Sequence, residues 1–389
     1  LTTSELFLLA MLVILAVPFA VWRAAGRAGW APLVVVQILG GILLGPGVLG
    51  AVAPGLHGAV FTPQVMGMLS GVALWAVVIF VFLAGMELDL SAAWADRRET
   101  ALVAGLALAV PLALGTGVGG WLALAGGWGG QGASGWQVAL GYGMACAVTA
   151  LPILVLFLSE LGVLRRPFGQ RVLRYASLDD IAIWAVLALI LLDWDRLGRQ
   201  AAFVALFLPL AAGMRRLIPR LDERDRWPVA LIWLAASALT SDWAGLHYMV
   251  GAFLAGAVLD AGWFGRARVE EIRGIVLMLL MPVFFLSTGL RTEWAMGGLP
   301  VIGVAVALLA AAVGGKLLGV ALAGRMLGWP GGEALTVGWL LQTKALIMIV
   351  FANILLDKGV ITGDGFTALL LMALASTMLT MPIVARRLR

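Results

Sequence analysis

Thirteen apolar stretches follow one another through the chain, most of them near the 20 residues a helix needs to cross a bilayer. They run approximately over 5–22, 31–51, 69–88, 100–125, 137–159, 172–192, 200–217, 228–242, 246–262, 274–290, 298–323, 334–356 and 365–385. Of the 389 residues 62% are hydrophobic and 12% charged, more apolar surface than a soluble core hides. In lipid each backbone N–H and C=O must find its partner within the protein, and a helix does so along its own length. The pattern predicts an all-α polytopic membrane protein of about 13 transmembrane helices. The 50 glycines suit close helix packing. The seventh and eighth stretches are the weakest, each short or closely flanked by charge.

Loop charge tests this division. Twenty of the 26 Lys and Arg residues fall in odd-numbered loops or at the C-terminus, four fall in even-numbered loops, and Lys316 and Lys344 fall inside spans. The positive-inside rule then places the odd loops and the C-terminus in the cytoplasm and the N-terminus outside. The first apolar run is long and its arginines follow it, so no cleavable signal peptide is expected. No linker or soluble domain interrupts residues 1–389, and a cytoplasmic regulatory domain would have to lie beyond Arg389. The net charge of +5 follows from loop arginines and gives no reason to expect nucleic acid. Cys146 stands alone, and His57 and His247 fall in expected loops. Without a Cys/His cluster no zinc, haem or iron–sulfur site is expected, and no cofactor.

The sixth span is the exception to this apolar pattern. YASLDDIAIWAVLALILL carries Asp179 and Asp180 near its middle. Insertion scales put one such charge at about 2.5–3.5 kcal/mol, and an intramembrane carboxylate marks a cation or proton site by default. The two acids lie about 100° apart on a helix, so one faces a counter-charge while the other faces a cavity. Lys316, in VGGKLLG of the eleventh span, either pairs with a carboxylate or snorkels to the cytoplasmic edge. Gly314, Gly315 and Gly319 beside it offer another helix close approach. Lys344 follows Gln342 and Thr343 in the middle of the twelfth span. That polar trio suggests a helix unwound there. Lys344 belongs to the site or neutralises two opposed helix C-termini. The fifth span has a counterpart in AVTALPIL, where Thr149 precedes Pro152, which either breaks the helix or merely kinks it. Spans 4–6 and 11–13 have opposite orientation, each with its interrupted member in the middle, as expected of inverted repeats with a site at their interface. Glu87, Asp89, Glu160 and Asp260 sit at or just beyond span ends and are read as structural or cavity-mouth charges.

FVFLAGMELDL, AVTALPILVLFLSELGVL, SLDDIAIWAVLAL, HYMVGAFLAGAVLD, PVFFLSTGL and GKLLG, in this order, resemble the monovalent cation/proton antiporter superfamily. The second branch is most similar, with NapA-type sodium/proton antiporters, Kef-type potassium efflux transporters and plant cation/proton exchangers. The resemblance implies 13 spans, inverted repeats with two crossed discontinuous helices, and a homodimer in a bacterial inner membrane. It assigns helices of about 100–192 and 298–385 to a mobile core, and about 1–88 and 200–290 to the dimerisation scaffold. By position, Asp180 matches the ion- and proton-binding carboxylate and Asp179 the Asp/Asn before it. Lys316 matches the salt-bridge partner. Thr149, Ala150, Leu151 and Pro152 match the first crossing, and Thr343 and Lys344 the second. Where many relatives read Arg-Gly-Glu, this chain has Lys344-Ala345-Leu346, which leaves ion selectivity open.

The expected activity is secondary antiport of Na⁺ or K⁺ against protons for pH homeostasis, not enzymatic catalysis. Cation and proton compete for Asp180, with Thr149 and nearby carbonyls completing an oxygen shell. The alternative is a Kef-type potassium/proton exchanger or gated efflux pathway, regulated by a cytoplasmic domain outside this chain.

Overall fold

The computed structural model describes residues 1–24, 33–46, 48–86, 97–150, 154, 157–158, 161–164, 166–191, 197–290 and 294–388. Among them the protein is helical throughout, with one isolated bridge between Gly129 and Ile361. The helices of eight residues or more are α1 (Thr3–Ala24), α2 (Leu33–Leu44), α3 (Pro63–Met86), α4 (Arg97–Ala125), α5 (Gly135–Ala147), α6 (Pro167–Ile190), α7 (Leu197–Leu217), α8 (Glu223–Trp243), α9 (Tyr248–Ala257), α10 (Arg266–Ile275), α11 (Met281–Leu290), α12 (Trp294–Leu327), α13 (Glu333–Leu340), α14 (Ala345–Asp357) and α15 (Gly363–Leu388). A π-helical turn, Val276–Leu280, separates α10 from α11.

Among the described residues six helices are long and apolar enough to cross a membrane: Thr3–Ala24, Pro63–Met86, Arg98–Ala125, Gly198–Arg220, Gly298–Leu327 and Gly363–Arg387. The seventh stretch, weak by sequence, is thus among the clear ones, because its helix starts earlier and ends later than its apolar centre. His57 lies not in a loop but in a short helix, Pro54–Val60. His247 caps α9, its Nδ1 accepting from Met249 N at 3.2 Å. Asp260 caps a 3₁₀ turn by accepting from Gly262 N at 2.7 Å. Glu87, Asp89 and Glu160 lie outside the described residues.

The chain divides into two compact units. One comprises Leu1–Gly26, Val36–Leu88 and Leu191–Leu290. Here α9 lies against α3 where glycines permit backbone contact: a Cβ on Gly256 would stand 2.0 Å from Phe82 O. Trp233 of α8 donates its indole N–H to Ala255 O at 3.1 Å, which pins α8 to α9.

The other unit comprises Arg27–Val35, Asp89–Ile190 and Arg291–Arg389. Ser134 starts α5 by giving its backbone N–H to Gln137 Oε1 at 3.0 Å. Gln137 Nε2 in turn holds Ile190 O at 2.8 Å, so the start of α5 meets the end of α6. Helix α12 packs on α4 through Gly315 and Gly319, whose Cβ atoms would lie 2.5 Å from Pro111 Cα and 2.2 Å from Leu106 O. Gly314, expected to share that role, faces open space. Two ends of this unit are recognisable. At one, side chains from the N-terminal parts of α4, α6 and α13 meet. At the other, the connection after α4 meets the one before α15, with Gly130 N on Val360 O at 3.1 Å and Thr362 N on Trp128 O at 3.2 Å.

Candidate functional site

Both apolar stretches expected to be interrupted are non-helical at their centres. Helix α5 ends at Ala147, and its C-cap Val148 is extended (φ −54°, ψ 142°). Thr149 and Ala150 follow outside any helix, and helical bonding resumes with Leu154 N on Ala150 O at 3.0 Å. Helix α13 ends at Leu340, and residues 341–344 turn before α14 begins at Ala345. The two breaks touch: Ala150 N donates to Thr343 O at 2.6 Å. Leu151 and Pro152 lie outside the described residues.

Breaking a helix frees backbone groups that a buried site must satisfy. Here two ammonium groups take three consecutive carbonyls at the end of α5. Lys344 Nζ donates to Cys146 O at 2.6 Å and Val148 O at 2.9 Å, and Lys316 Nζ donates to Ala147 O at 2.6 Å. Positive charge at a helix C-terminus also opposes the helix dipole.

Lys316 reaches in from α12 and is fully buried. Its other two protons go to Thr149 Oγ1 and Asp179 Oδ2, both at 2.9 Å. The Lys316–Asp179 ion pair is therefore dry, with side-chain exposures of 0% and 2%. An ion pair so placed persists only when its hydrogen bonds are nearly complete. On the lysine side they are. The Thr149 hydroxyl stands between two acceptors, Asp179 Oδ2 and Leu341 O, the latter at 2.9 Å. The single Thr149 proton serves either acceptor, so one hydroxyl stands between the Asp179 carboxylate and the second break. Asp179 Oδ1 differs: it is buried, and no donor reaches it among the described residues.

Asp179, Thr149, Lys316, Ala150, Thr343 and Lys344 are therefore brought together. The backbone of Asp180 belongs to α6, and its side chain lies outside what the structure describes. Two residues unremarked in the sequence line the second break. Ser376 Oγ donates to Gln342 O at 2.8 Å and accepts from Gln342 Nε2 at 3.1 Å, and Thr377 Oγ1 accepts from Lys344 N at 3.4 Å. Their signal was a Ser-Thr pair inside the thirteenth apolar stretch.

A family profile described as "Sodium/hydrogen exchanger, transmembrane" matches residues 11–387. Cation/H(+) antiporter 17 of Arabidopsis thaliana is 30% identical over 375 residues, covering 91% of this chain and 45% of its own length. The Na(+)/H(+) antiporter NhaS4 of Synechocystis is 27% identical, covering 91% of this chain and 90% of its own length. The K(+)/H(+) antiporter 1 of Saccharomyces cerevisiae is 27% identical, covering 94% and 44%. The chain spans about half the length of the Arabidopsis and Saccharomyces relatives.

Proposed function

This chain belongs to the sodium/hydrogen exchanger transmembrane family, and from that premise we propose that it is a secondary antiporter exchanging Na⁺ or K⁺ for protons. The relatives' names divide between sodium and potassium, so the cation is the point for experiment. Asp180 binds one dehydrated cation or a proton, not both, and competition at that carboxylate couples the two flows. The observation that carries this reading is Asp179 Oδ1, a buried acceptor without a described donor beside a dry ion pair and two crossed helix breaks. A buried oxygen in that state invites a hydrogen-bond donor or a cation. When the cation enters, the Asp179–Lys316 pair opens and Thr149 follows its carboxylate.

The unit of residues 27–35, 89–190 and 291–389 serves as the transport core, with α4–α6 and α12–α15 as inverted repeats. The unit of residues 1–26, 36–88 and 191–290 serves as the scaffold of a homodimer. In this reading the whole has 13 spans, an outside N-terminus and a cytoplasmic C-terminus, and works by alternating access in a bacterial inner membrane. Supporting that sidedness, the N-terminal parts of α4, α6 and α13 meet at one end, as their odd-numbered loops require.

The test uses everted vesicles with an imposed proton gradient, receiving Na⁺, K⁺, Li⁺ and Rb⁺ in turn. A pH dye should dequench with one cation in the wild type and with none in Asp180→Asn. Full exchange in folded Asp180→Asn overturns competition at this carboxylate. Dequenching by potassium alone selects the Kef-type reading.

A further inference from the structure

Far from the crossing, at the start of α6, four side chains and a ring form a closed group. Arg171 is ion-paired to Glu333, the first residue of α13, and lies 3.6 Å from Glu99 of α4. The Tyr175 hydroxyl donates to Glu99. Trp329 lies against both, 5.5 Å from the Arg171 guanidinium and 6.3 Å from the Tyr175 ring.

The spacing connects this group to the ion site. Arg171, Tyr175 and Asp179 recur every fourth residue, so they share one face of α6. From Arg171 to Asp179 is eight residue steps, about 12 Å of helix rise. From Glu333 to Leu341 along α13 is also eight steps, about the same rise. The two segments are thus struts of equal length joined at both ends. Arg171–Glu333 closes one end, and at the other the Thr149 hydroxyl stands between Asp179 Oδ2 and Leu341 O, its one proton serving either. Between them Val172, Tyr175 and Ala176 share one buried cluster with Val337, Leu340 and Leu341. A helix of two turns does not hold itself in place, because isolated helices below about 12 residues are marginal. Along its flank α13 lies against α12, where a Cβ on Gly338 would stand 2.9 Å from Leu317 Cδ2, and what grips its ends fixes its register toward α6.

We infer that Arg171 is a positioning residue for ion binding. Its pair with Glu333 fixes the register of α13 against α6, so that Leu341 O meets Thr149 and Thr149 meets Asp179. Trp329 backs the guanidinium and keeps it aimed. Glu99, 3.6 Å from the guanidinium, ties Arg171 and Tyr175 to α4 and makes no link to α13, so it does not set the register between α13 and α6. The inference rests on the antiport reading for its effect on transport.

The experiment measures exchange kinetics, thermal stability and amide hydrogen exchange in Arg171→Gln, Glu333→Gln, Arg171→Lys and Glu99→Gln. Arg171→Gln and Glu333→Gln should each raise the apparent KM for the cation about fivefold or more, with maximal rate within about twofold. Arg171→Lys keeps an ion pair with Glu333 and should stay within about twofold of the wild-type KM. Glu99→Gln should leave KM unchanged. An unchanged KM in Arg171→Gln, with only lower thermal stability, makes the pair structural and overturns the inference. So does a raised KM in Glu99→Gln equal to that in Arg171→Gln. If the wild type exchanges no cation, the antiport reading fails by itself. The clamp is then judged by the amides of Leu340–Lys344. Faster exchange there in Arg171→Gln but not in Glu99→Gln supports it, and equal exchange overturns it.

Discussion

Lys316 spends each of its three protons on a different residue: a backbone carbonyl, a hydroxyl and a carboxylate. Removing it strands the Asp179 charge in a dry site. Breaking a buried pair by deleting one partner costs about 3–5 kcal/mol. Lys316→Met should therefore lower the thermal midpoint by several degrees in detergent, and adding Asp179→Asn should recover part of the loss. Two independent decreases that simply add would contradict the pairing. The sequence could suggest this pair because each charge stands alone in an apolar run and needs a partner. It could not suggest Ser376 or the Arg171 group. Small hydroxyls are ordinary in membrane helices, and arginines at span ends are ordinary anchors. What distinguishes these residues is contact across 34 and 162 positions of sequence, which no local pattern records.

The same limit appears at the level of elements. Proline and mid-span polar residues flagged both helix breaks, because either removes or competes with backbone hydrogen bonds. Which glycine meets which helix depends on rotation about the axis, and three glycines within six residues do not reveal it. Gly319 faces α4 at backbone distance, whereas Gly314 is exposed with no atom close to its absent Cβ. Two substitutions separate these surfaces. Gly314→Ala should be neutral or stabilise by up to about 1 kcal/mol, as expected of alanine at an open helical position. Gly319→Ala drives a methyl group into Leu106 O and should lower thermal stability and cation affinity together, since α12 carries Lys316. Equal effects of the two would mean that α4 and α12 are not packed at this face.

For the whole molecule, the arginine distribution specifies a sidedness that labelling can measure. In a Cys146→Ala background, Gln131→Cys should react with an impermeant maleimide in intact cells, and Arg325→Cys only after the membrane is opened. The reverse pattern would invert the topology. Arg325 stands in the last turn of α12 and Gln131 in the connection after α4, both exposed. Charge has another consequence at this scale. Lys316 and Lys344 already stand on the carbonyls of Cys146, Ala147 and Val148, and α6 carries Asp179 and Asp180. With all four ionised the empty site has no net charge, and an electric field does no work on it as it changes face. With one monovalent ion aboard it carries a unit charge, worth about 2.3 kcal/mol per 100 mV. In the one-for-one exchange proposed above, the cation-loaded and the proton-loaded site each bear that unit charge and cross in opposite directions, so the membrane voltage does no net work over a full cycle and a change of voltage leaves the exchange equilibrium where it was.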